Sequence, residues 1–181
     1  VQSYEQANHV VITGGEPMIH DEIEPLVERL ADAGYHLTVE TNGTVDREMP
    51  VDLASISPKL ASSTPTPEQD PKGDGEWAGR HEDRRIDIDA LASLVTRYES
   101  QLKFVVTDEA DRDLAEVDGL VAEVRDAAEV TVPDSDVLLM PEGMTTDRLA
   151  KTRERTAELA MEYGYRYTPR LHVDIWEDAP G

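Results

Sequence analysis

Along the chain, short apolar runs alternate with stretches in which apolar residues recur at helical spacing. His9-Val10-Val11-Ile12-Thr13 is a brief apolar run closed by a glycine pair, the pattern of a buried parallel strand. From about Asp21, Ile23, Leu26, Val27 and Leu30 share one helical face, with Asp21 placed as N-cap and Gly34 as the stop. His36 to Thr41 reads as a second strand, closing a βαβ unit, and Ala54 to Ser57 as a very short third. Leu91, Leu94 and Val95 predict a helix over 88–98, followed by a strand over 102–107 and a helix over 113–128. A strand over 137–140 and a long helix over 146–163 come next, with Gly164 behind the helix. The tail from Tyr165 to Trp176 mixes strand-like residues with histidine and aromatics. Between Ser62 and Arg85 the pattern lapses into Pro, Gly and charge, predicting a surface loop or flexible insertion over 62–85. Repeated βα units predict one α/β domain over residues 1–181, its parallel sheet either open or curled into a partial barrel.

Composition sharpens this picture. At 181 residues with 39% hydrophobic and 5% aromatic residues, the core must rest on Val, Leu, Ile and Ala. The 39 acidic residues outweigh 17 basic ones, for a formal net charge of -22, and Lys59, Lys72, Lys103 and Lys151 are the only lysines. Such self-repulsion weakens a compact state in dilute buffer, whereas molar salt shortens its range to about 3 Å. The surface therefore reads as a halophilic adaptation, with an archaeal cytoplasm as the expected setting. No basic stripe exists to neutralise phosphates, so direct nucleic-acid binding is disfavoured. There is no cysteine, hence no disulfide and no thiolate metal site in these residues. No apolar run reaches membrane-spanning length and no signal peptide opens the chain, so no membrane partner is expected.

Ligands of parallel α/β sheets collect at the carboxyl ends of the strands, and four such ends are unusual here. Thr13-Gly14-Gly15-Glu16-Pro17 follows the first strand: the glycines let backbone approach a ligand, Glu16 suits an ammonium group, and Pro17 stops the strand. Glu40-Thr41-Asn42-Gly43-Thr44 ends the second; Asn-Gly alone signals a turn. Ser57-Pro58-Lys59 ends the third and spends one of few lysines there. Met140-Pro141-Glu142-Gly143 ends a later strand, where Pro and Gly alone would mark the start of a helix. Lys103, within Leu102-Lys103-Phe104-Val105-Val106, could equally face solvent. Arg170 and His172 in the tail offer a bidentate cation and an imidazole, each with an ordinary structural role as the alternative.

Taken in order, these strings resemble the radical S-adenosylmethionine (SAM) enzymes, through their GGEP and ETNG motifs. Within that superfamily the chain is similar to the 7-carboxy-7-deazaguanine synthases, through Ser57-Pro58-Lys59 and the Arg170 to Trp176 segment. The resemblance implies an incomplete (βα) barrel of the radical SAM type, here with its first strand and cluster loop missing. It implies a 4Fe–4S cluster, SAM and Mg²⁺ as cofactors, with the cluster cysteines and the magnesium ligand expected upstream of Val1. Gly14, Gly15, Glu16, Ser57, Pro58, Lys59, Met140, Pro141, Glu142 and Gly143 become SAM-binding candidates. Thr13, Glu40, Asn42, Arg170, His172 and the C-terminal Gly181 become substrate-binding candidates; no side chain is assigned as catalytic, since the radical comes from SAM.

The implied reaction abstracts hydrogen from 6-carboxy-5,6,7,8-tetrahydropterin by a 5′-deoxyadenosyl radical. Ring contraction with loss of ammonia then gives 7-carboxy-7-deazaguanine, on the route to queuosine or archaeosine in tRNA. The implied partners are the pterin and an electron donor, either a reductase or a flavodoxin or ferredoxin, with a homodimer left open. Two alternatives stand beside this. One is a cluster-less SAM- or pterin-binding remnant or subunit, favoured by the absence of cysteine; the other is a glycyl-radical-enzyme activase, which shares the first two motifs. A Rossmann-type nucleotide domain is a distant third, because no G-x-G-x-x-G is present.

Overall fold

A computed structural model describes residues 6–64, 79 and 84–177. The six strands are β1 (His9–Ile12), β2 (His36–Thr41), β3 (Leu53–Ile56), β4 (Ser100–Val106), β5 (Val137–Pro141) and β6 (Arg166–Tyr167). They form one sheet in the order β1-β2-β3-β4-β5-β6, every neighbouring pair parallel. The register aligns Ile12 with Val39, Val39 with Ala54, Ile56 with Leu102, and Leu102 with Val137. All strand C-termini therefore open on one rim. Among the described residues β1 and β6 are the edges, so the sheet is open, as an incomplete barrel requires.

The helices are α1 (Ile23–Asp32), α2 (Ile88–Arg97), α3 (Ala110–Ala127), α4 (Thr146–Tyr163) and α5 (Leu171–Trp176). Their apolar faces cover the sheet. Leu91, Leu94 and Val95 of α2 and Leu114, Val117, Val121 and Val124 of α3 are buried against strand residues such as Ile56, Leu102 and Phe104. Phe104, the chain's single phenylalanine, is fully buried. Two caps fix helix starts: Asp87 accepts from Ala90 N at 2.9 Å and Thr145 from Arg148 N at 3.2 Å. Gly164 ends α4 at φ +73°, where a left-handed residue closes the helix.

Three expectations change. Asp21 does not cap α1; its carboxylate pairs with Arg47 at 2.8 Å, and the helix begins two residues later without a side-chain cap. Leu26 stays 47% exposed, leaving Val27 to carry the burial of α1. In the tail only Arg166–Tyr167 pairs with β5; Pro169, lacking an N–H, interrupts, and Leu171–Trp176 coils into a helix. Within the expected insertion over 62–85, residues 65–78 and 80–83 lie outside the described residues.

Candidate functional site

At the strand C-termini a cavity of about 240 Å³ is lined by Thr13, Gly14, Gly15, Glu40, Thr41, Asn42, Ser57, Lys59, Lys103, Val105, Met140 and Arg170. The loops after β1, β2, β3 and β6 contribute, with strand residues of β2, β4 and β5, so residues separated by most of the chain meet on one rim. A smaller cavity of about 140 Å³ shares Lys59 and Val105 with it and adds Pro58, Leu60, Ser62, Ser63, Thr107 and Glu142.

The glycine loop is built to present backbone. Gly14 has φ +153°, and a Cβ added at Gly14 or Gly15 would meet nothing within 4 Å. Glu16 turns the other way. It is 9% exposed, and its carboxylate accepts from Met18 N at 3.1 Å, Thr41 Oγ1 at 2.9 Å and Asn42 N at 2.6 Å. In this structure it ties the first loop to the second and does not line either cavity.

Glu40 sits at the centre of the floor, accepting from Thr13 Oγ1 at 3.0 Å and from Lys103 Nζ at 3.1 Å. Burial pushes its carboxyl up, but the Lys103 ammonium and the two hydrogen bonds outweigh this and hold it below the usual range. Asn42 folds onto its own loop, its Oδ1 accepting from Thr44 N at 2.9 Å and Thr44 Oγ1 at 2.7 Å, so the expected Asn-Gly turn forms. Gly43 lies at φ +79°, pressed against Leu91 and Ile56.

Lys59 makes no hydrogen bond or ion pair with its side chain among the described residues. Burial lowers its pKa, and repulsion from Lys103 adds to this against the opposing attraction of Glu16. Arg170, also on the cavity wall, has a buried Nε with no hydrogen-bond partner. Among the described residues neither Lys59 nor Arg170 forms an ion pair, although Glu40 lines the same cavity and pairs with Lys103. Their chemistry suits an anionic group.

The last motif divides. Met140 lines the larger cavity and Glu142 the smaller, where Arg148 Nε holds the Glu142 carboxylate at 2.6 Å and reaches on to Asp108. Pro141 is a strand residue, aligned with Val106. Gly143 lines neither cavity: a Cβ there would lie 2.9 Å from Leu149 N, so it serves the close approach of the loop to α4. His172 is exposed on α5 and lines neither cavity, so the structure does not bring it to the site. Gly181 lies outside the described residues. Sequence reasoning missed Thr41 and Val105 as lining residues and left the direction of Lys103 open; strand alternation between buried Leu102 and Phe104 is the signal that turns Lys103 away from the core. Among the described residues no three His, Asp or Glu side chains gather to hold a metal ion, and no helix is long and apolar enough to cross a membrane.

The open, chain-ordered parallel sheet, with glycine backbone and cations on its carboxyl rim, has the fold of a radical SAM core. The crystal structure of QueE from Escherichia coli superposes with a TM-score of 0.59 at 26% identity, over 93% of this chain and 58% of that one. Streptococcus suis SuiB bound to S-adenosylmethionine matches at TM-score 0.55 and 15% identity, over 90% of this chain and 39% of that one, which is a likeness of fold. No family model matches the chain. In sequence it is 61% identical over 180 residues to the 7-carboxy-7-deazaguanine synthase of Halobacterium salinarum, covering 99% of this chain and 69% of that protein. It is 40% identical over 166 residues to the synthase of Rhodopirellula baltica, covering 91% of this chain and 60% of that protein. The chain belongs to the 7-carboxy-7-deazaguanine synthase family.

Proposed function

We propose that these residues form the SAM- and substrate-holding part of a 7-carboxy-7-deazaguanine synthase, acting on 6-carboxy-5,6,7,8-tetrahydropterin. The observation that carries the reading is the convergence of Gly14, Gly15, Lys59 and Arg170 on one cavity, with both cations unpaired. SAM fits this donor set. The open backbone at Gly14 and Gly15 suits its amino-acid end, and the smaller cavity, walled by Pro58, Leu60 and Val105, suits a flat purine. When bound to a reduced 4Fe–4S cluster, SAM supplies the radical that starts the reaction; these residues contain no cysteine to hold such a cluster.

The chain's own work is orientation and charge. Lys59 and Arg170 neutralise carboxylates, and the Thr13–Glu40–Lys103 row offers a fixed acceptor and donor to the polar edge of a pterin. Mg²⁺, an electron donor, a homodimeric assembly and a cytoplasmic setting belong to this proposal as properties of the whole enzyme, as do the roles of Ser57, Asn42, Met140 and Glu142 as ligand contacts. His172 and Gly181 would join only if the tail closes over bound substrate.

The test is anaerobic incubation of the full-length protein from its native source, after iron and sulfide reconstitution, with SAM, a reductant and the carboxypterin. Release of ammonia with a 7-deazapurine product supports the synthase. Tight SAM binding with no product would favour a second reading, a SAM- or pterin-binding subunit, which the cysteine-free composition favours. No binding of either molecule would sink both.

A further inference from the structure

The loop that carries Lys59 leaves the sheet after one last tie, Ser57 N to Thr41 O at 2.7 Å. Beyond it no strand supports the backbone, yet Lys59 must stand at the wall shared by both cavities. Among the described residues, an ion pair supports the loop. Arg85 Nη1 donates to the carbonyl of Lys59 at 3.0 Å and to Glu116 Oε1 at 2.5 Å. The same Glu116 carboxylate accepts from Ala61 N at 2.9 and 3.2 Å. Peptide groups on both sides of Leu60 are therefore gripped by a single pair, whose side chains are only 17% and 27% exposed. Leu60, at 2% exposure, pins the loop from the apolar side. Neither Arg85 nor Glu116 lines either cavity.

We infer that Arg85 and Glu116 are positioning residues, which set the affinity of the site for an anionic ligand group by fixing where the Lys59 ammonium stands. The physical need is specific to this chain. Lys59 stays exposed as a residue, makes no side-chain hydrogen bond or ion pair among the described residues, and is repelled by Lys103, with only an unbonded attraction to Glu16 to hold its charged end. A lysine on a loose loop would swing to water or to one of many surface carboxylates. Anchoring the backbone on both sides of Leu60 confines that reach, so the ligand does not have to order the loop when it binds. Arg85 comes from the segment preceding α2 and Glu116 from α3, so the brace ties the loop after β3 to two later parts of the chain. The inference rests on the reading of Lys59 as a ligand contact.

A double-mutant cycle tests it, with S-adenosylhomocysteine as the probe, calorimetry in molar KCl as the measurement, and circular dichroism to confirm folding. Arg85→Ala is expected to weaken binding by about five- to tenfold when Lys59 is present, and by less than about twofold in a Lys59→Ala background. Equal weakening in both backgrounds, or none with Lys59 present, overturns the inference and leaves the proposed function standing. A Lys59→Ala variant that binds as tightly as the parent overturns the reading of Lys59, and the inference with it. Should Arg85→Ala fail to fold, Glu116→Gln keeps an acceptor for Ala61 while removing the charge opposite Arg85. It is expected to show a smaller loss with the same dependence on Lys59, and a loss independent of Lys59 overturns the inference.

Discussion

Thr41 donates its hydroxyl to the Glu16 carboxylate at 2.9 Å, and the next residue, Asn42, adds its N–H at 2.6 Å, so a single buried acid joins the loops that follow β1 and β2. The strand register already places those loops side by side, and Glu16 locks their rims together. The ligand-facing backbone at Gly14 and Gly15 is thereby held relative to Glu40 without a side chain entering the cavity.

Replacing Glu16 with Gln puts an NH₂ group where the carboxylate now meets three donors. At least one buried N–H or O–H then loses its acceptor, an expected cost of about 1–3 kcal/mol in a urea titration. An unchanged midpoint would show that the loops are held by something else. A SAM analogue lacking the α-amino group should lose as much affinity in this variant as S-adenosylhomocysteine does. A loss confined to amine-bearing ligands would instead place Glu16 in direct contact with the amine.

Lys59 sets binding against stability. Its pKa lies below the ordinary lysine value of 10.5 because burial and Lys103 disfavour the charged form. A depressed lysine pKa means that the unfolded chain binds the proton more tightly. Stability from this group therefore rises as pH climbs from the folded pKa toward 10.5, and is at its lowest below that window. Lys59→Met is accordingly expected to raise the melting temperature at neutral pH while weakening S-adenosylhomocysteine binding. A variant that is both less stable and weaker in binding would refute the account.

Gly43 tolerates no side chain. An added Cβ would lie 2.3 Å from Leu91 Cδ2 and 2.8 Å from Ile56 Cγ2, on a residue at φ +79°. Gly43→Ala combines overpacking with a left-handed backbone cost, an expected loss of about 2–4 kcal/mol by chemical denaturation. A loss below about 1 kcal/mol would mean that the loop gives way, and the Asn42 turn with it.

Salt acts on two opposing sums. Exposed pairs such as Arg155–Asp111, at 2.6 Å, weaken as ions screen them, but each contributes little. The excess of 39 acids over 17 bases repels at every range, and screening shortens that reach from about 10 Å at 0.1 M to about 3 Å at 1 M. Repulsion is the larger sum, so the melting temperature is expected to rise with KCl across this range. A flat or falling curve would remove the halophilic reading.

Much of this was legible before any coordinates. Short apolar runs between helical stretches gave β1 to β5 to within two residues, because each strand buries at least one row of apolar side chains against the helices. Strand-end motifs located the cavity, because parallel sheets leave their ligands only that rim. What stayed hidden depends on contacts between distant parts of the chain. Asp21 has the chemistry of an N-cap, but Arg47 outbids the helix for it. Glu16 has the chemistry of a ligand contact, but the inward turn of its side chain follows from where Thr41 and Asn42 stand. Arg85 and Glu116 carry no motif, since an ion pair that braces a loop needs only opposite charges in the right place.

The side-by-side order of the strands has a consequence for how the molecule is made. Each strand pairs with the one synthesised just before it, so the sheet can zip up behind the growing chain with little loop-closure cost per step. The cavity does not accumulate in the same way. Its walls draw on both Thr13 and Arg170, so binding competence arrives only when the unit carrying Arg170 has docked on the sheet. A ligand therefore stabilises molecules in which β1 to β6 have all assembled, and no partial sheet.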